Sequence, residues 1–396
     1  MINKNSIIFI VLIVFYWFGV LFYDFIDKNL GFSFLDELLT LSILLIYIQF
    51  YLSKKFIINK SFIIFIIVFL FYIGYSFFLK SNSTIAIATD TIILLKPFLV
   101  YFSIVELKPN ISTGMKKSLK LNAEIGLILL PFLLLLNYHP SRYATASIVT
   151  GILYLYASRL TLKNVLFFIL ILSIGLLSAR SKMYGFFVLA SALSLYFYYN
   201  RDKKFEFSLK HLISFTVILV LLLLASYEKL YFYFYTGVFE SENMFARPLL
   251  MLTGYKIALD FFPFGSGFAS FASYSSGLYY SDIYYKYNLF TQHGLSQEDT
   301  SFISDIFLAE ILGQFGFFGI VVFLSIIINI LKETYEIQKN NLYMRKKYLL
   351  VILIILFFII ESIADSTFTQ NRGVFIVLIL SLVLVEMRYK YLEKKV

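Results

Sequence analysis

Cysteine is absent from the 396-residue chain, which rules out disulfides and thiolate chemistry while leaving the compartment open. Charge is scarce: Asp, Glu, Lys and Arg make up 15% of the residues, against 60% hydrophobic and 20% aromatic. A soluble chain of this length cannot hide so much apolar surface, so composition alone reads as an all-α polytopic membrane protein. No HExxH, paired-histidine or DxD pattern occurs in the outer segments assigned below, so no tightly held metal is expected. A Ser-His-Asp arrangement and a nucleophile elbow are missing too. The one GxG, at 265–267, has no preceding strand and no third glycine, so it is not a dinucleotide fingerprint; no cofactor is expected. The formal charge of +10 would suggest nucleic acid in a soluble protein. In a membrane protein the distribution of that charge matters more, and nucleic acid is not an expected partner.

What is present is a series of long apolar runs. Twelve candidate spans fall near 6–23, 35–52, 61–79, 86–105, 119–136, 144–158, 163–178, 183–199, 209–226, 302–331, 348–364 and 373–387. The sixth is short and carries Ser and Thr, and the tenth can include a turn outside the bilayer. The first lacks a small-residue cleavage site and reads as a span rather than a signal peptide. Three regions follow: residues 1–226 with about nine spans, a 227–301 outer loop, and 302–396 with about three spans.

With the N-terminus in the cytoplasm and spans alternating, the cytoplasmic segments carry 23 Lys and Arg and the outer segments 10, and Lys96 lies within a span. That asymmetry is what the positive-inside rule demands, and an even span count puts both termini inside. Against this preference, Arg142, Arg180 and Arg372 lie at outer span ends, and Arg247 is the one arginine of the long outer loop. The stretch LLSARSKMYG (176–185) is the sharpest case, because Arg180 and Lys182 flank a tight turn between two apolar spans. An arginine at a helix end can simply snorkel to lipid phosphates. A cluster of four on the disfavoured side indicates a site that attracts anions.

In the loop, Arg247-Pro248 reads as a helix start, with Leu249, Leu250, Leu252, Ile257 and Phe261 on an apolar face and Lys256 and Asp260 toward water. Arg247 then stands beside a helix N-terminus, which favours an anion. FPFGSG ends the helix. A tyrosine-dense segment follows, suited to a membrane interface or to stacking on sugar rings, and it leads to a lone His293. Asp299, Thr300 or Ser301 can cap the next helix, placing Asp305 in its first turns near the outer boundary. A carboxylate there either pairs with an arginine or works as a base. The acids Asp90, Glu310 and Glu361 are read as structural, paired with Lys96 or with polar groups between helices.

Taken together, these segments resemble the O-antigen ligase and O-antigen polymerase family. LLSARSKMYG is similar to the place where Ser-Arg ends one span of that family. ARPLLMLTGYKIALDFFPFGSGFASF is similar to its large-loop pattern of arginine, short helix, proline, Gly-x-Gly and aromatic. SDIFLAEILGQFGFFGIVVF looks like its re-entering span, with Gly316 and Gly319 as paired glycines. The likeness covers roughly residues 165–330. Arg180 and Arg247 match the family's arginines, whereas Asp305 stands where the ligases have a histidine, which favours a polymerase.

The resemblance implies a glycosyltransferase C-type architecture in a bacterial inner membrane, with the active site on the periplasmic face. It implies transfer of a glycan from a polyprenyl-diphosphate donor to the terminal sugar of a lipid-linked repeat unit, independent of metal and with inversion. Membrane lipids and a chain-length regulator are the further partners. Arg180 and Arg247 would clamp the diphosphate, with Lys182, Arg142 and Arg372 in support, and Asp305 would deprotonate the acceptor hydroxyl. The alternatives are a ligase acting on lipid A-core and a lipid-linked oligosaccharide flippase; against the latter, no internal repeat is present and the charges gather at one face.

Overall fold

The computed structural model describes residues 3–31, 33–53, 60–135, 138–203, 205, 216–217, 220, 227–240 and 245–392. The described residues form helices joined by turns. Six of these helices are long and apolar enough to cross a membrane: Lys4–Leu21, Leu35–Leu52, Lys60–Leu79, Thr84–Leu107, Thr113–Leu135 and Phe307–Asn340. The protein is a polytopic helical membrane protein. The ninth expected span, 209–226, lies outside the described residues except for 216–217 and 220.

The expected sixth span, the most polar, forms the Pro140–Ala157 helix and occupies the middle of the bundle, buried from Tyr143 through Tyr156. A helix surrounded by protein needs no greasy coat. Its Ser and Thr side chains are satisfied locally: Ser147 donates to the Ile171 carbonyl at 2.8 Å, and Thr150 shares a 3.1 Å hydrogen bond with Tyr16. Gly151 lets Phe168 and Leu172 approach so closely that a Cβ there would lie 3.1–3.2 Å from them. This is close packing by small residues, as in helix pairs within lipid. The Asn371–Leu392 helix is equally enclosed, with Val374 through Val385 buried.

The polar ends of the bundle differ. At one, Glu386 gathers Lys116 at 2.7 Å, Lys347 at 2.9 Å and the Tyr156 hydroxyl at 2.7 Å, and Arg388 grips Glu333 through two bonds of 2.5 and 2.7 Å. At the other, the short connections at 24–31, 33–37, 80–85, 138–143, 178–182 and 365–372 meet one another and the large loop. Ser81 and Asn82 donate to the Phe268 and Ala269 carbonyls at 2.8 Å, and Ser366 donates to the Ser304 carbonyl at 2.9 Å.

Two expectations need correction here. Asp305 is not in the first turns of a helix. Asp299 instead accepts from the backbone N–H and hydroxyl of Ser301, and Phe302 donates to the Gly294 carbonyl at 2.9 Å. These bonds curl 299–305 into turns, and the helix begins only at Phe307 with Ile306 as its cap. Lys96, in turn, pairs with none of Asp90, Glu310 and Glu361. It binds Asp36 at 2.5 Å and Glu37 at 2.6 Å, acids at the start of the Leu35–Ser53 helix that packs beside it.

Candidate active site

The large loop has its own core, built from Leu250, Ile257, Phe271, Ala272, Ile283, Tyr284, Leu289, Leu295, Ile303 and Ile306, closing on Ala309 of the re-entering helix. Several tyrosines are structural ties. Tyr284 is buried, donating to or accepting from the Ser276 hydroxyl at 2.8 Å while accepting from the Ala272 N–H at 2.9 Å. Tyr280 donates to the Leu295 carbonyl at 2.7 Å, and burial raises its phenol to about 12. Tyr274 and Tyr285 remain exposed. His293 is exposed and lies 3.5 Å from Asp299.

The expected helix spans Ala246–Asp260. Lys256 and Asp260 face outward as the pattern indicated, but Leu252 is exposed too, and Thr253, Gly254 and Ala258 take the buried face with Leu250 and Ile257. Size explains the exchange: Gly254 lies against the backbone of Ala309, where a Cβ would come within 3.2 Å of the carbonyl oxygen.

The PFGSG turn after this helix fills a break in the Phe307–Asn340 helix. Gly316 breaks that helix with φ 61 and ψ −160, freeing backbone groups inside an apolar region where each must find a partner. Ser266 and Gly267 donate to the Gly313 and Gln314 carbonyls at 2.9 and 2.8 Å, and Phe318 donates to the Pro263 carbonyl at 3.1 Å. Contact is so close that a Cβ on Gly265 would sit 2.5 Å from the Gly316 nitrogen. The GxG is a structural plug.

This plug sets the loop over the helix start and brings Arg247 to Asp305. The guanidinium donates from Nη2 at 3.0 Å and Nε at 3.2 Å to one carboxylate oxygen. Both side chains keep about a third of their surface open, 33% and 27%. Burial raises the Asp305 carboxyl above the ordinary aspartate range, and Arg247 offsets only part of that rise.

At the opening stretch, Ala179 adopts φ 53, ending one helix and letting Arg180 cap the next, Ser181–Tyr199. Lys182 turns inward to Glu361 at 2.5 Å and Asp365 at 3.3 Å. Arg180 is half-buried and makes no side-chain hydrogen bond or ion pair among the described residues. Asp365 is a hub, accepting also from Ser141 and Gln370 at 2.9 Å each, and its charge is felt at Asp305.

Arg142 and Arg372 form a separate group around Asp24, at 2.9 and 3.6 Å. Arg372 is buried and also donates to the Tyr138 hydroxyl at 2.5 Å. The backbone N–H of His139 donates to Asp24 at 3.0 Å. Burial and the charges of Arg180 and Arg142 lower the His139 imidazole below its ordinary value, against a smaller pull from Asp24 and Asp365.

Thus Arg247 meets Asp305, Lys182 leads to the same neighbourhood through Asp365, and Arg142 and Arg372 are held by Asp24. Asp24, His139 and Asp365 were missed as site residues. All three lie in the short connections between spans, His139 beside Arg142 and Asp365 in the same connection as Arg372, whereas the connection of Asp24 holds no arginine and gave no such signal.

The class of protein is now defined: a multi-pass helical membrane protein with a folded loop domain that plugs a broken helix and overlies a row of arginines and carboxylates. Residues 165–324 match the family model described as O-antigen ligase. The matched stretch contains Arg180, Lys182, Arg247, Asp305, the GxG plug and Gly316, and excludes the Asp24, Arg142 and Arg372 group. No curated protein matches the chain.

Proposed function

We propose that the protein is a polymerase of lipid-linked glycan repeat units, an O-antigen polymerase or a polymerase of a related polysaccharide. The donor is a glycan on undecaprenyl or a similar polyprenyl diphosphate, and the acceptor is the terminal sugar of a second lipid-linked unit. Twelve spans with both termini cytoplasmic would place the loop on the periplasmic face of a bacterial inner membrane. The observation that carries the reading is the Arg247–Asp305 pair, about a third exposed and at the same end of the bundle as Arg180, whose side chain has no hydrogen bond or ion pair among the described residues.

As the anomeric C–O bond breaks, charge builds on the diphosphate, and guanidinium groups stabilise it best where water is scarce. Arg180 is free to do so directly. Arg247 would transfer its fork from Asp305 to the diphosphate, releasing the carboxylate to take the proton of the attacking hydroxyl. Attack from the side opposite the leaving group inverts the anomeric carbon, and the arginines supply the charge that a divalent ion supplies elsewhere.

The family description favours a second reading, a ligase that moves the finished glycan to lipid A-core. Purified protein in nanodiscs with EDTA, given lipid-diphosphate-linked repeat units with and without lipid A-core, separates the two. A ladder of longer glycans from repeat units alone, lost in folded Arg180→Ala, Arg247→Ala and Asp305→Ala, supports polymerisation. Product only on lipid A-core supports ligation, and no transfer to either acceptor removes both.

A further inference from the structure

His139 is unused by this mechanism, yet it borders the site. It caps the central helix ahead of Pro140, with its backbone fixed to Asp24 at 3.0 Å. Two residues on, Ser141 is fixed to Asp365 at 2.9 Å. The helix start that carries His139 is therefore fixed between two carboxylates on separate elements, the Tyr23–Leu30 helix and the 363–366 turn, and Asp365 also takes Lys182, two residues beyond Arg180, at 3.3 Å. Among the charged neighbours of the His139 imidazole are Arg142 on its own helix and Arg180 across the 178–182 turn. Of the other histidines, His293 is exposed in the loop and His211 lies outside the described residues.

We propose that His139 is a member of the anion site around Arg180, contacting the diphosphate of the lipid-linked donor with its imidazole and taking up a proton as that donor binds. This rests on reading the site as a diphosphate site. In the free protein partial desolvation and the two arginines disfavour the protonated imidazole. A diphosphate docked on Arg180 replaces that positive field with a negative one, and a nearby opposite charge favours the protonated ring. The proton comes from solvent, no bond is made or broken, and the imidazolium donates a charge-assisted hydrogen bond. By linkage, a group whose affinity for protons rises on binding makes binding tighter as pH falls. The steepest dependence is about tenfold per pH unit for one proton.

The test is titration calorimetry of the full-length protein in nanodiscs with farnesyl diphosphate and with inorganic pyrophosphate. It is run between pH 6 and 8 in buffers of different ionisation heat. The ligands bind protons themselves, so the readout is the difference between wild type and variants. His139→Gln is expected to weaken binding about tenfold at pH 6, with less proton uptake and a flatter pH profile. His139→Lys is expected to keep the affinity and lose the pH dependence. If Arg180→Ala abolishes binding but His139→Gln matches wild type in affinity and proton uptake, the proposal is overturned and the polymerase reading stands. If no glycan is transferred yet the His139-dependent uptake is seen, the polymerase reading falls and this site remains. Absence of diphosphate binding by wild type overturns both.

Discussion

Arg247 and Asp305 lie 58 residues apart, one in the loop helix and the other at the entrance to the re-entering helix. They meet through two bonds to a single carboxylate oxygen, at 3.0 and 3.2 Å. Among the described residues the other carboxylate oxygen accepts no hydrogen bond.

The first prediction concerns the pH profile of transfer. Burial already holds the Asp305 carboxyl above the ordinary range, and Arg247 works in the opposite direction. A base must be deprotonated, so the rate rises with pH through this group, with the acid limb above the usual aspartate value of about 4. Removing Arg247 takes away the lowering influence and moves the limb further up. Asp305→Asn is expected to cost roughly 10²–10⁴-fold in kcat. A limb unmoved in Arg247→Ala, measured on whatever activity remains, would remove Asp305 as the titrating base.

Lys182 and Glu361 carry the second. Their side chains are 12% and 3% exposed and 2.5 Å apart. Lys182→Met leaves a buried carboxylate without its cation, a loss of about 3–5 kcal/mol. Glu361→Gln in the same chain is expected to restore most of it. Thermal unfolding in detergent decides the matter: a double variant no more stable than Lys182→Met would mean that Lys182 acts elsewhere.

The third tests the plug. Gly316 occupies a backbone region open essentially to glycine alone, at about 1–3 kcal/mol for any other residue, and a Cβ there would lie 2.4 Å from the Pro263 carbonyl oxygen. Gly316→Ala is therefore expected to destabilise by at least that amount and to loosen the loop, raising its proteolysis. Gly74→Ala, with nothing within 4 Å of the new carbon, is the control and is expected to be neutral or slightly stabilising. Equal melting of the two variants would mean that the plug bears no strain.

Much of this was legible in the sequence because hydrocarbon imposes a period and a length that few other forces override. The apolar runs, the arginines at span ends and the loop helix each left a local signal. Partners were harder to read. Nothing local shows that Lys96 would choose Asp36 over Asp90, or that Lys182 would turn inward to Glu361, because those choices depend on which helices pack together. The Leu252 error has a similar source: hydrophobicity marked it for burial, while close contact with Ala309 required the small Gly254. The helix start was placed five to seven residues too early, which put Asp305 inside it, because Asp299 and Ser301 close a turn where a helix cap was equally plausible from the pattern.

The last prediction follows from Asp24. Burial alone would raise its carboxyl, but Arg372, the His139 N–H and Arg142 together bring it below its ordinary value of 3.8. A group whose pKa is lower in the folded state contributes stability that is complete above the unfolded pKa and is lost as pH falls through the folded one. The contribution of this cluster should therefore hold at neutral pH and disappear only below about pH 4. Asp24→Asn removes it at every pH and leaves the buried Arg372, 3% exposed, without its carboxylate. That variant is expected to lose about 3–5 kcal/mol. Arg142→Ala, with the arginine side chain 35% exposed, should cost about 1 kcal/mol or less, since an exposed pair is screened. Melting temperatures of the two variants between pH 3 and 7 check both claims. If Arg142→Ala proves the more damaging, or if the gap between wild type and Asp24→Asn stays constant down to pH 3, Asp24 is not the ionised centre of this cluster.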